Sequence, residues 1–262
     1  MKLLNKISIF VLCIPMVAFS TQTLVYNKVT GSKHVTTTWT VDEKDDEYII
    51  QGISKNQVVD IKALVPYKLI RFENQSKKNS DHYNIRLVNR KLIAEGERKG
   101  ERYSSTNGIG GTPWVQDFEF GLKPFIKSNR KSFTFYIVNP TNLKTYKMIA
   151  RKKQVEKITV DGVDKKTLYV KLTLTGMKKL FWKAQLWFDA DTGDLIMYKA
   201  NEGPHTPTTI ITLASVDGKP EGWLKSMFKS DDDDDQENDS NHDSDEHCSD
   251  EQINTRDPKK ST

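Results

Sequence analysis

Apolar and polar side chains alternate along most of this chain, from about residue 23 to residue 216. In VTTTWTV, Val35, Thr37, Trp39 and Val41 fall on one face, with Thr36, Thr38 and Thr40 opposite. A period of two filled by β-branched and aromatic residues marks a half-buried strand. The pattern returns in EYIIQGIS, VVDIKAL, YKLIRFE, YNIRLV and KLIAEGE, separated by DEKDD, SKNQ, VPYK, NQSKKNSD and NRK. Strands joined by such short, turn-rich breaks predict an antiparallel meander.

A glycine-rich stretch, SSTNGIGGTPW, interrupts the alternation at residues 104–114 and reads as a long loop. Strands resume in KSFTFYIVN, where Phe133, Phe135 and Ile137 share a face. The segment Leu143 to Lys153 fits a helix or a strand, and strand is the expectation. KITVDG ends in Asp161-Gly162, a strong hairpin signal, and LYVKLTLT alternates Val170, Leu172 and Leu174 with Tyr169, Lys171 and Thr173. In FWKAQLWF, Trp182, Ala184, Leu186 and Phe188 lie on one face; DADTGD turns the chain and LIMYKA returns. A last strand, TTIITLASV, follows the loop EGPHTP. In EGWLKSMFK, Trp223, Leu224, Met227 and Phe228 recur at helical spacing. This segment reads as a short helix packed on the sheet, with an interfacial anchor as the alternative. The fold predicted is mainly β: one large curved antiparallel sheet or open barrel, a short C-terminal helix and a disordered acidic tail. A sheet of this kind can curl around an apolar ligand.

The ends differ from this body. Lys2 and Lys6 precede an apolar run from Ile7 to Phe19, and Ala18 and Ser20 are small residues placed before Thr21. That order predicts a signal peptide over residues 1–20. A spanning helix needs about 20 apolar residues; this run is shorter and contains Pro15. Leu12 before Cys13 does not suit lipid attachment. With Cys13 removed, Cys248 is the only cysteine left, so no intramolecular disulfide can form and the body at 21–229 must cohere by burial. Residues 230–262 hold no aromatic residue and one isoleucine, which predicts disorder.

Charge sharpens the contrast. The whole chain carries +5, while residues 231–262 hold 13 acidic and 3 basic side chains. Removing that −10 and the leader's +2 leaves +13 on the body. A basic exported body suits anionic lipid headgroups or other polyanions. The tail reads first as a solubilising segment; the alternative is a tethered competitor for the same basic surface.

The stretch FYIVNP…EKITVDG…LYVKLTLT…KAQLWFDADTGDLIMYKANEG carries a resemblance. Glu156, Ile158 and Gly162 match an E-x-I-x-V-x-G strand pair, and Leu186, Trp187, Phe188, Asp189, Thr192, Gly193 and Leu195 match an lWfD-x-x-T-G-x-L hairpin. Over the last third of the body the chain resembles exported bacterial antiparallel β-sheet proteins: the LolA-like lipoprotein-carrier superfamily and related exported families of unknown function. The resemblance implies a sheet curved around an apolar hollow and, in some members, lipid or lipoprotein binding. It transfers no site residue to this sequence.

Catalytic chemistry is harder to find. The body's histidines are His34, His82 and His205, and no G-x-S-x-G is present. Ser80-Asp81-His82 are adjacent in sequence and read as a turn, since triad members normally meet through the fold. His205, near Glu202, reads as an exposed loop residue. NGIGGTP lacks the Lys-Ser/Thr of a phosphate loop and reads as a connection or cavity lid. In the tail, His242, His247, Cys248 and the carboxylates show neither zinc spacing nor a calcium loop. No catalytic residue, metal ligand or cofactor is assigned, and the ligand-binding residues stay open.

Export and the absence of a known module argue against a nucleic-acid partner, although RKKQVEK and KKLFWK mix basic and aromatic residues. The leading expectation is a non-enzymatic exported binding protein, periplasmic or extracellular. Its ligand would be lipid or otherwise apolar, and it would work at an anionic membrane surface. The alternatives are a structural or protein-interaction module docking through its acidic tail, its partner unknown, and a hydrolase whose site assembles from distant residues.

Overall fold

The computed structural model describes residues 20–176, 182–201 and 206–220. Residues 1–19 of the expected leader, His205, the segment EGWLKSMFK and the acidic tail lie outside the described residues, while Ser20 opens the first strand.

The chain first walks outward. Strands β1 (Ser20–Thr30), β2 (Lys33–Lys44), β3 (Glu47–Ser54), β4 (Gln57–Leu64), β5 (Lys68–Ser76), β6 (His82–Val88), β7 (Lys91–Arg98) and β8 (Glu101–Gly108) pair in sequence order. Two short helices follow, α1 (Phe118–Gly121) and α2 (Lys123–Lys127). The chain then walks back from the opposite edge through β9 (Ser132–Val138), β10 (Thr145–Val160), β11 (Val163–Leu174), β12 (Lys183–Asp189), β13 (Leu195–Asn201) and β14 (Thr208–Val216), with β15 (Lys219–Pro220) beside β14. β1 pairs with β14, so two meanders join into one antiparallel sheet whose outer strands are β8 and β9. The sheet is open: those outer strands form no ladder with each other.

Turn chemistry sets this path. Asp45-Asp46, Asn89-Arg90, Lys99-Gly100, Asp161-Gly162 and Asp217-Gly218 all take positive φ at both positions. That geometry matches the twist of hairpin strands. The Asp161-Gly162 signal is therefore used as expected, between Val160 and Val163. Register shifts at Val25/Tyr26, Lys62/Ala63, Lys152/Val155 and Trp187/Phe188 break the ladder with bulges, which add local twist and bend.

The alternation read from sequence becomes an inside and an outside. Trp39 is buried while Thr36 and Thr38 are exposed; Ile50 is buried while Ile49 is 46% exposed; Val59, Ile61 and Ala63 line one face of β4. The ambiguous segment after Leu143 is strand, within β10.

The expectation of a long loop at 104–114 needs correction. Ser104 to Gly108 close β8, whose exposed residues show no apolar period because it lies at a sheet edge. The rest turns inward. Ile109, Trp114, Val115, Phe120, Leu122, Phe125 and Ile126 are all buried in the hydrophobic core they share with the strands. Residues 109–127 thus form a plug on the inner face. Its buried side chains sit on short irregular segments and two helices of four and five residues, too short to show a strand or helix period.

Candidate functional site

The plug is held along the edge strand β9 and by the inner strand β5. Val115 N–H donates to the Tyr136 carbonyl and Tyr136 N–H to the Pro113 carbonyl, both at 2.9 Å, so residues 113–115 lie along β9. Gln116 extends this pairing with its side chain: Nε2 donates to the Val138 carbonyl at 2.9 Å and Oε1 accepts from Val138 N–H at 3.1 Å. The free edge of β9 is thereby covered. On the other side, Trp114 Nε1 donates to the Leu69 carbonyl at 2.9 Å. Ser105 Oγ donates to the Leu143 carbonyl at 2.6 Å, bringing β8 near the β9–β10 turn.

Helix α1 begins at Asp117, whose carboxylate accepts from Phe120 N–H (3.0 Å) and Gly121 N–H (3.3 Å). Gly121 is required by close approach: a Cβ there would stand 2.5 Å from Val115 Cγ1. Helix α2 is tied to the D-x-x-T-G turn by Lys123 Nζ on Asp194 Oδ1 at 2.6 Å. Asp189 closes that turn by accepting from Asp191 N–H (2.9 Å) and Thr192 N–H (2.7 Å). Lys152, on β10, donates to the carbonyls of Ile126 and Ser128 at the end of α2, over the Phe125 ring. Burial pushes the Lys152 amine below its ordinary value.

The plug does not fill the sheet's hollow. A partly open cavity of about 750 Å³ remains between the start of β5, the β6–β7 turn, the plug and β9. Sites for small molecules usually measure roughly 300–1,000 Å³. Its wall includes Leu69, Leu87, Ile109, Trp114, Phe125 and Phe133. The glycine-rich stretch lines it through Gly110 and Gly111, and a side chain at either would meet open space. Lys68, Arg90 and Arg130 also line it and are exposed, so they mark its mouth.

An acidic cluster sits behind this wall. Tyr67 lines the cavity, and its hydroxyl donates to Asp117 Oδ2. Its φ of 140° lies in a region that costs a non-glycine residue about 1–3 kcal/mol. Burial first, then the Asp117 charge, holds the Tyr67 hydroxyl well above its ordinary value. Burial also raises Asp117, although its bonds to Tyr67, Phe120 and Gly121 oppose the rise. Glu119 is pushed to about 7 by burial and then by Asp117, with Lys28 opposing. Tyr67, Asp117 and Glu119 carried no motif in the sequence. Their only signal was Asp117 one residue before Phe-Glu-Phe, which is a helix cap.

The sequence-adjacent Ser80-Asp81-His82 runs from the β5–β6 connection into β6, which begins at His82. His82 Nδ1 lies 2.8 Å from the Ser80 carbonyl, Ser80 Oγ donates to Glu97 at 3.1 Å, and Asp81 accepts from Lys99 N–H at 2.8 Å. The serine hydroxyl thus turns to a carboxylate and not to the imidazole. His82 lines a second cleft, of about 500 Å³, that carries both charge signs through Lys78, Arg98, Asp81 and Glu97. His34 is exposed on β2, away from both. Among the described residues no group of three or more histidine, cysteine or carboxylate side chains could hold a metal ion.

The two sequence patterns behind the LolA-like resemblance touch each other. Trp187 stacks on Tyr169 with ring centres 5.3 Å apart, and its Nε1 donates to Glu156. No protein-family model matches the sequence, and no curated protein does. Solved structures do match. A β-barrel-like protein of the domain of unknown function DUF1849 from Brucella abortus has a TM-score of 0.47 at 10% identity, over 75% of this chain and 97% of that one. A PNGF-II structure has 0.25 at 10% identity, over 81% of this chain and 30% of that one. A LolA superfamily protein from Nitrosomonas europaea has 0.25 at 7% identity, over 83% and 92%.

Proposed function

We propose that this protein is an exported carrier or sensor that holds an apolar ligand in the 750 Å³ hollow between plug and sheet. The observation that carries the reading is the hollow itself. Recesses of this size walled by aromatic and aliphatic groups are where small-molecule ligands usually sit. Here the chain places its plug inside the sheet and still leaves a cavity walled by aromatic and aliphatic groups, open to solvent at a basic mouth. The leader, the basic body and the hollow suit work at the anionic surface of a bacterial envelope.

The test is direct. Mature protein purified without detergent is extracted with organic solvent and the extract analysed by mass spectrometry; the stripped protein is then offered a fluorescent apolar probe. The expected result is a co-purifying amphipathic or apolar molecule, and probe uptake that Gly111→Trp abolishes. An empty extract together with a stripped protein that ignores the probe removes the proposal.

A further inference from the structure

Part of the sheet's basic charge is paired across the strands: Lys62 lies 2.7 Å from Glu47, Lys157 2.5 Å from Asp164, and Arg86 3.5 Å from Glu95. At the mouth, Lys68, Arg90 and Arg130 come from three separate parts of the chain, namely the start of β5, the β6–β7 turn and the lead into β9. None of the three has an ion-pair partner among the described residues, and no carboxylate lines the cavity. Three cations around one opening repel each other unless a counter-charge joins them. The 500 Å³ cleft shows the contrast, since its two cations share it with two carboxylates.

We propose that the occupant of the hollow is an amphiphile with an anionic head. Its chain lies against Trp114, Phe125 and Phe133, and its head meets Lys68, Arg90 and Arg130 at the mouth. This rests on the reading of the hollow as a ligand site and adds the class of ligand. Arginine offers planar, paired N–H donors that suit a carboxylate or a phosphate, and lysine adds a point charge. The apolar wall selects the chain, while the mouth selects the head. A neutral chain of equal length satisfies only the first.

Isothermal titration of the mature, stripped chain with decanoate, decyl phosphate, decanol and inorganic phosphate separates these contributions. Both anionic amphiphiles are expected to bind, with decanol and inorganic phosphate each at least roughly tenfold weaker. The triple variant Lys68→Gln/Arg90→Gln/Arg130→Gln changes exposed side chains only and should fold normally. It is expected to lose about tenfold for the anionic amphiphiles and to keep its decanol affinity. Decanol binding as tightly as decanoate, or an anion preference that survives in the triple variant, overturns the head and leaves the hollow as an apolar site. Inorganic phosphate binding as well as decyl phosphate overturns the amphiphile, since the head alone would suffice. If all four fail to bind, the reading of the hollow falls and this inference with it.

Discussion

Glu119 is where a single side chain sets a property that a solution measurement can read. Its value of about 7 lies above the ordinary 4.5, and Asp117 is raised beside it. Folding therefore takes up protons. The stabilisation is complete below about pH 4.5 and is lost as the pH rises through about 7. The melting temperature should fall between about pH 5 and about pH 8, and Glu119→Gln should flatten that slope. The expected gain at the upper end is on the order of 2 kcal/mol, limited by the solvent exposure that Glu119 keeps. A slope unchanged in the variant would mean that another group takes up the proton. Gly52 offers a second check. A Cβ there would stand 2.6 Å from the Trp39 ring, and that ring meets Phe120 of α1 edge-on at 5.3 Å. Gly52→Ala should cost about 2 kcal/mol in denaturant unfolding by pushing the indole off its seat. A neutral result would show that the Trp39–Phe120 contact can shift at no expense.

Among the elements, the plug separates what the sequence made legible from what it did not. β3 and β14 begin and end where EYIIQGIS and TTIITLASV do, since both runs are rich in β-branched residues, although β3 turns Ile49 and Ile53 outward and buries Gly52 and Ser54. β8 was hidden, since ERYSSTNG lies at an edge and buries none of its side chains. The plug was hidden for the opposite reason. Trp114, Val115, Phe120 and Leu122 are buried from several sides, and no period of two or 3.6 records that. The cationic mouth escaped as well, because Lys68, Arg90 and Arg130 are far apart in sequence and only the curvature of the sheet gathers them. The plug should also behave as a unit. Lys152→Met leaves the carbonyls of Ile126 and Ser128 without their donor, a loss of roughly 1–3 kcal/mol. In hydrogen exchange, amides of residues 113–128 should lose protection while those of β12 and β13 keep it. Equal loss across the whole sheet would mean that plug and sheet open together.

At the scale of the whole molecule, the sequence sets a basic stretch, residues 21–230, against an acidic one, residues 231–262. Residues 21–262 together carry +3, and residues 21–230 alone carry +13. Long-range attraction to anionic headgroups follows the net charge, and salt within about a Debye length screens it. Residues 21–230 should therefore bind vesicles containing anionic lipid more tightly than the full mature chain at low ionic strength. The two should converge as salt is raised, and neither should bind vesicles of neutral lipid. Co-sedimentation across a salt series measures this. A gap that persists at high salt would point to a specific seat for the tail on the basic body. Equal binding at low salt would mean that the tail's charge does not reach the surface the body uses. Binding to neutral vesicles would shift the attraction from charge to the apolar segment ahead of the tail, where Trp223, Leu224, Met227 and Phe228 recur at helical spacing. Repeating the series with Leu224→Ser/Phe228→Ser distinguishes the two sources, because removing those side chains leaves the net charge as it was.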